Sequence, residues 1–485
     1  MYVLTNHAPF ADWSTSIAGQ SSDSAHSYVI EMAQLANELT GKLDALNSSQ
    51  APVGDGRSSC PIIVAKVRDL TRNVDCGEYD PDHVAIGPYN YPRPQSRSPH
   101  LAMEHDKLTS LGKLLSAARA MRPDMTVNVY INELRCLEES VRNCYANTFA
   151  DMTSEQFVRM LLLDGCYILS RLVGFQAQPA DDASVTVEVG VPSANRAEAL
   201  AVVRDVFYLA ENQIPFFVLE KIGELTALDG KDRVIKKITE YALDLMRRQK
   251  YKEAAPAMVP PQPTVPGNLL HLLHMHLKPA PPSAPPAATV NDSDQVRRWR
   301  SATEYSFAGV KFKGRAMNEK GMRSILDVKL NRGGSTLEVP RLDIDSETWR
   351  LLRNLMELEQ RNREAVGSHV TAYCVFMSQV ACTTKDVELL SKRDVIVHGH
   401  GNNDEVAKCF ADLCKGIQFD PDDPECNYLR ETCWILEKRS RSSSRRWMAW
   451  LRRKYFRNPW LVIGLLAAVV GLACEVVQAV YSVLS

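Results

Sequence analysis

The sequence predicts a mainly α fold with minor β: one large helical domain carrying a small hairpin, closed by a C-terminal transmembrane helix. Three observations predict it. Apolar residues recur every three or four positions over most of the chain, the spacing of one helix face. Residues 326–339 alternate instead, around the turn Asn331-Arg332-Gly333-Gly334. Residues 460–484 are apolar except for Glu475 and Gln478. As a helix they would cover about 37 Å, against a hydrocarbon core of about 30 Å.

The chain's 485 residues are 45% hydrophobic, which is globular rather than disordered. Net charge is −1, which argues against general nucleic-acid binding. Met1 to His7 hold no Lys, no Arg and no apolar run, so no secretory signal is read there. The 12 cysteines are then expected as free thiols in a reducing compartment.

In order, residues 1–58 form a variable N-terminal region with one amphipathic helix, marked by Val29, Met32, Ala36, Leu39, Leu43 and Leu46. That stripe fits either an addition to the core or a partner-binding helix. A helical domain is expected over 59–437. It opens with an extended stretch from Cys60 to Leu70 and a turn at Gly87-Pro88. Helices follow through Leu108, Leu111 and Leu115, and through Leu134, Leu137, Val141 and Tyr145. Thr153-x-x-Gln156 is a capping box. The helix it starts, through residues 160–169, is apolar nearly all round and therefore central. Val185, Val187, Val189 and Val191 alternate, as in a short strand or extended loop.

A corner comes next. Leu200, Val203, Phe207 and Ala210 make one helix face, and Leu219, Ile222 and Leu225 another. Between them stands Asn212-Gln213-Ile214-Pro215. Proline costs little in a first helical turn and asparagine is a good N-cap. Pro215 is therefore expected in the first turn, capped by Asn212, with Phe216, Phe217 and Leu219 in the core. Glu211 and Glu220 flank the corner, facing solvent or pairing with Arg204 and Lys221.

Residues 256–286 hold 10 of the 26 prolines, so a Pro-rich insertion is expected over 256–295, exposed and polyproline-like. Its island, Asn268 to Leu277, is helical in pattern and docks on the body. Pro340 ends the later hairpin or places it on an edge. Helices are expected around Arg353–Gln360, Thr371–Met377 and Asp386–Leu390. Asn402-x-x-Glu405 caps another, with Val406, Cys409, Phe410 and Leu413 on one face.

The chain has no Walker loop, dinucleotide fingerprint, Gly-x-Ser-x-Gly or His-Glu-x-x-His. His271, His274 and His276 have metal-like spacing, but His274 and His276 do not share a helix face, so no metal is assigned. Cys409, Cys414, Cys426 and Cys433 lack the two-residue gap of zinc knuckles and read as buried or free thiols. His398-Gly399-His400-Gly401 reads as a loop entering a capped helix. Asp164, in the apolar helix, is the strongest catalytic candidate, as a buried general acid. A structural ion pair or a helix-end hydrogen bond is the alternative. No catalytic residue and no cofactor is named.

Glu211-Asn212-Gln213-Ile214-Pro215-Phe216-Phe217-Val218-Leu219-Glu220 resembles the hallmark of the plant domain of unknown function 247 family, also called uncharacterised protein family 0481. Asp164, Asn212, Gln213, Pro215, Phe216 and Glu220 form the motif core. Other segments resemble the family too: Ile86-Gly87-Pro88-Tyr89, Met103-Glu104-His105-Asp106-Lys107, Asp164-Gly165-Cys166, Arg300–Glu304, Ala308–Phe312 and Phe456–Trp460. Where the family usually has His-His after the tyrosine, this chain has Asn90-Tyr91. The resemblance implies no assigned activity, and a setting in which some members take part in self-incompatibility.

Nine basic residues precede the terminal run, among them Arg445, Arg446, Arg452, Arg453, Lys454 and Arg457, in a juxtamembrane segment over 438–459. With 460–484 as the span, the expectation is a single-pass, tail-anchored protein contacting lipid through those residues, with a cytosolic body. Its role is read as non-enzymatic recognition or scaffolding with a protein partner, as in self-incompatibility. The alternative is an enzyme of unrecognised class using Asp164.

Overall fold

The computed structural model describes residues 62–91, 100–173, 196–226, 230–252, 265–279, 298–317, 319, 323–399, 401–441 and 459–484. The N-terminal helix, the alternating valines and Arg445, Arg446, Arg452, Arg453, Lys454 and Arg457 lie outside them. So does most of the Pro-rich insertion.

Helices make most of the fold. After a short α1 (Asp69–Arg72) come α2 (His100–Met121), α3 (Val127–Arg142) and α4 (Ser154–Leu172). Then come α5 (Arg196–Tyr208), α6 (Phe216–Thr226), α7 (Gly230–Arg248) and α8 (Leu269–Leu277). α4 is the axis of this half. Thr153 accepts from the Gln156 amide and the box is reciprocated, so the helix is fixed at its entry. Its residues from Phe157 to Leu169 are buried save Arg159, and α2, α3 and α6 pack against it.

The second half opens with α9 (Ala302–Phe307) and a small sheet of β1 (Lys311–Arg315), β2 (Lys329–Leu330) and β3 (Thr336–Pro340). β2 and β3 form the expected hairpin, antiparallel with Leu330 opposite Leu337. β1 lies parallel on the other edge of β3, so Pro340 ends the central strand rather than an edge one. β4 (Leu342–Ile344) pairs in parallel with β5 (Ile396–His398), the latter taking up the start of the expected histidine-glycine loop. Between them run α10 (Thr348–Arg361), α11 (Arg363–Val366), α12 (His369–Val380) and α13 (Thr384–Ser391). α14 (Asn403–Leu413) and α15 (Arg430–Arg441) follow. Asn402 caps α14 through the Asp404 amide, with Val406, Phe410 and Leu413 buried.

One continuous hydrophobic core joins the two halves, and α8 is the wedge between them. It packs on α5 and α7 on one side and α10 on the other. The island is thus docked as expected. Asn268, at its N-cap, accepts from the His271 amide, and Pro266, Gly267 and Asn268 are already buried.

Three expectations are corrected. The first concerns the membrane. A helix forms over Pro459–Leu484, yet among the described residues no helix is long and apolar enough to cross a membrane. Glu475 and Gln478 interrupt its apolar run, and a span needs about 20 predominantly apolar residues. The transmembrane helix, the tail anchor and the single-pass membrane localisation fall with it. The second concerns thiols: Cys144 is disulfide-bonded, while ten other described cysteines are free. The third concerns the corner. α6 begins at Phe216, just after Pro215, and Asn212 does not cap it.

Phe216 is fully buried and Phe217 only half so. Phe216→Ala is expected to cost about 3–5 kcal/mol and Phe217→Ala clearly less. Urea unfolding of the two variants checks this; equal midpoints would remove Phe216 from the core.

Candidate functional site

The corner folds because its two amide side chains use all their hydrogen-bonding capacity inside the protein. Asn212 Nδ2 donates to the Val84 and Asp205 carbonyls at 2.9 and 3.0 Å. Its Oδ1 accepts from the Ile86 amide at 2.6 Å and from Asn90 Nδ2 at 3.0 Å. Gln213 Nε2 donates to the Val206 and Leu209 carbonyls at 2.9 and 3.0 Å. Its Oε1 accepts from the Leu269 and Leu270 amides at 3.1 and 3.3 Å. Those two amides belong to the first turn of α8, where no intrahelical partner exists. Pro215 has no amide to satisfy, and the Phe216 amide donates to Gly267 at 2.8 Å.

The acids around the corner are consumed in the same way. Asp164 Oδ2 accepts from the Gly87 amide at 2.8 Å, and its Oδ1 lies 2.5 Å from Lys107 Nζ. Lys107 also donates to the Ala85 carbonyl at 2.6 Å. Gly87 sits at φ +73°, and a Cβ there would come within 2.6 Å of the Gln213 carbonyl oxygen, so glycine is required. Asp205 accepts from the His83 and Val84 amides at 2.6 and 3.0 Å. Glu211 accepts from the Val67 amide and pairs with Arg72 at 2.7 Å. Its partner is therefore not Arg204, which instead meets Asp82, Asp205 and Glu347. Lys221 pairs with Glu133 and Glu224. Glu220 is buried in α6.

The structure thus brings Asp164, Asn212, Gln213, Pro215 and Phe216 to one joint, but not as a reactive cleft. The described cavities lie elsewhere, where Arg298, Arg300, Phe307, Glu437 and Arg441 line the surface between α9 and α15. Lys107, Asp205 and Asn354 complete the joint. Asn354, on α10, accepts from the Ala210 amide at 2.8 Å and donates to the Glu78 carbonyl at 2.8 Å. Only Lys107 had a sequence signal, its place in the Met-Glu-x-x-Lys segment.

A second cluster lies where α8 meets α10 and α12. His274 Nε2 is 2.7 Å from Glu359 Oε1, and His369 Nδ1 is 3.8 Å from the same oxygen. The two imidazole rings are 4.2 Å apart. Glu359 also accepts from the Val370 and Thr371 amides and the Thr371 hydroxyl at 2.6–2.8 Å. His274 and Glu359 are fully buried and His369 nearly so. Burial raises the Glu359 carboxyl above its ordinary range and pushes His274 and His369 down to about 3. His271 falls to about 3 and His276 to about 4 for the same reason. Of the three spaced histidines only His274 enters the cluster. His271 Nδ1 accepts from the Gly267 amide at 3.0 Å, and His276 lies 3.3 Å from Lys252 Nζ. Glu359 and His369 were missed because their neighbour in space, His274, is 85 residues away from Glu359 in sequence.

A family model described as plant protein of unknown function, DUF247, matches residues 64–474. The chain belongs to this family. A UPF0481 protein of Arabidopsis thaliana is 25% identical over 455 residues, covering 89% of this chain and 87% of its own length. No solved structure matches. The family hallmark and its Asp164-Gly165-Cys166 segment meet in the joint just described, through the Gly87 and Gln213 main chain.

Two outcomes follow. Lys107→Met leaves the Asp164 carboxylate buried without its cation and is expected to cost about 3–5 kcal/mol. Adding Asp164→Asn to it recovers part of the loss. Urea midpoints of the two variants test this, and a neutral Lys107→Met contradicts the pairing. The second concerns acid. The four histidines stay neutral when folded and take up protons near pH 6.5 when unfolded. Their contribution is complete above about pH 6.5 and is lost as pH falls from there toward 3–4. Each can contribute a slope of up to about 1.4 kcal/mol per pH unit, with Glu359 opposing. Thermal melts are expected to stay level from pH 7.5 to about 6.5 and to fall from there to pH 5, and a flat profile over the whole range contradicts the burial of these rings.

Proposed function

We propose that the chain is a non-enzymatic recognition or scaffolding module with a protein partner. One observation carries the reading: three acids at the corner that could serve as a general acid or base are already spent. Asp164, Asp205 and Glu211 hold main-chain amides and basic side chains of their own fold. A catalytic carboxylate must be within reach of a substrate proton, and Asp164 is only 2% exposed. The rival reading, an enzyme built on Asp164, loses support on both counts. An interior that commits these polar groups to architecture leaves the surface for recognition of partners. If the family's implicated role extends to this chain, that recognition is of the self-incompatibility kind.

Proximity labelling from the full chain in its own tissue, followed by reconstitution with each labelled protein in purified form, tests the reading. A direct complex of micromolar affinity or tighter is expected. If none of the labelled proteins forms a direct complex, the reading fails.

A further inference from the structure

We propose that His274, Glu359 and His369 bind a divalent first-row metal ion, zinc by its donor set, which clasps α8 to α10 and α12. Two imidazoles and one carboxylate are a recognised zinc ligand set. Each residue offers one ligand atom, and the three atoms lie within 4.8 Å of one another. They come from three separate helices, so their convergence is tertiary and not a consequence of local spacing. Zinc bonds of about 2.0–2.2 Å place tetrahedral neighbours about 3.3 Å apart. The present separations from Glu359 Oε1, 2.7 Å to His274 and 3.8 Å to His369, bracket that value. Each ring needs to move only about half an ångström.

A second observation points to an ion. His274 is wholly buried and His369 is 9% exposed. Glu359, 0% exposed, has no Lys or Arg in its ion pairs among the described residues, only the two histidines. A buried carboxylate without a cation is costly, and a bound dication supplies the missing charge. The existing hydrogen bonds from Val370 and Thr371 would orient the carboxylate, as partners of metal ligands commonly do. Ligands on three helices make the site a structural clasp across the two halves of the fold.

The test uses the tag-free full chain, stripped with chelator and titrated with Zn²⁺ against a chromophoric competitor. One zinc per chain is expected. His274→Gln and His369→Gln are each expected to weaken binding at least tenfold, with the exposed His105→Gln as the unchanged control. Binding unaltered in both cluster variants, or absent from the unmutated chain, overturns the site. Should the variants not fold, Co²⁺ added to the unmutated chain decides. A strong visible band of four-coordinate cobalt without thiolate charge transfer supports the proposal. A pale six-coordinate spectrum, or a thiolate band from the free cysteines, overturns it.

Discussion

A helix corner placed inside a protein leaves main-chain amides and carbonyls with no water to bond, and each one left unmet costs about 1–3 kcal/mol. Asn212 and Gln213 resolve this for the whole fold. Between them they serve carbonyls at Val84, Asp205, Val206 and Leu209, and amides at Ile86, Leu269 and Leu270. The partners come from the loop near Gly87, the end of α5 and the first turn of α8. One dipeptide therefore ties together segments more than a hundred residues apart. Apolar packing around it brings the helices close; these bonds decide which loop meets which helix.

The position of α8 follows. Its first turn is held by Gln213 and Asn268, and its body lies between the two halves of the core. The far side of the same helix carries His274 to Glu359 and His369. Fixing the N-terminus of α8 at the corner thus sets where that histidine arrives, nearly two turns later. The joint and the histidine–glutamate cluster are two ends of one wedge.

Local patterns carried much of this architecture. The capping box at Thr153, the all-apolar face of α4, the docked island and the Asn331–Gly334 hairpin each depend on neighbours within a few residues, and periodicity reads those well. β1 was not legible, because it joins β3 in parallel across an intervening hairpin strand. Asn212 looked like a helix cap because its residue type suits one; its side chain instead faces the loop at Val84–Ile86. Asp164 was visible as an acid in an apolar helix, but its role depended on Lys107 and Gly87, 57 and 77 residues away. Glu359 and His369 gave no local sign at all. The terminal apolar run suggested a span through its length, its composition and its basic flank, and no helix among the described residues is long and apolar enough to supply one.

The most direct test of the corner as the organising joint is native-state hydrogen exchange at Ile86, Leu269 and Leu270 in the unmutated chain and in Gln213→Met. In the unmutated chain all three amides are expected to exchange only with the slowest, global opening. In Gln213→Met, Leu269 and Leu270 are expected to lose protection by about tenfold or more, since each loses its acceptor. Protection at Leu269 and Leu270 that is unchanged in the variant would contradict the account.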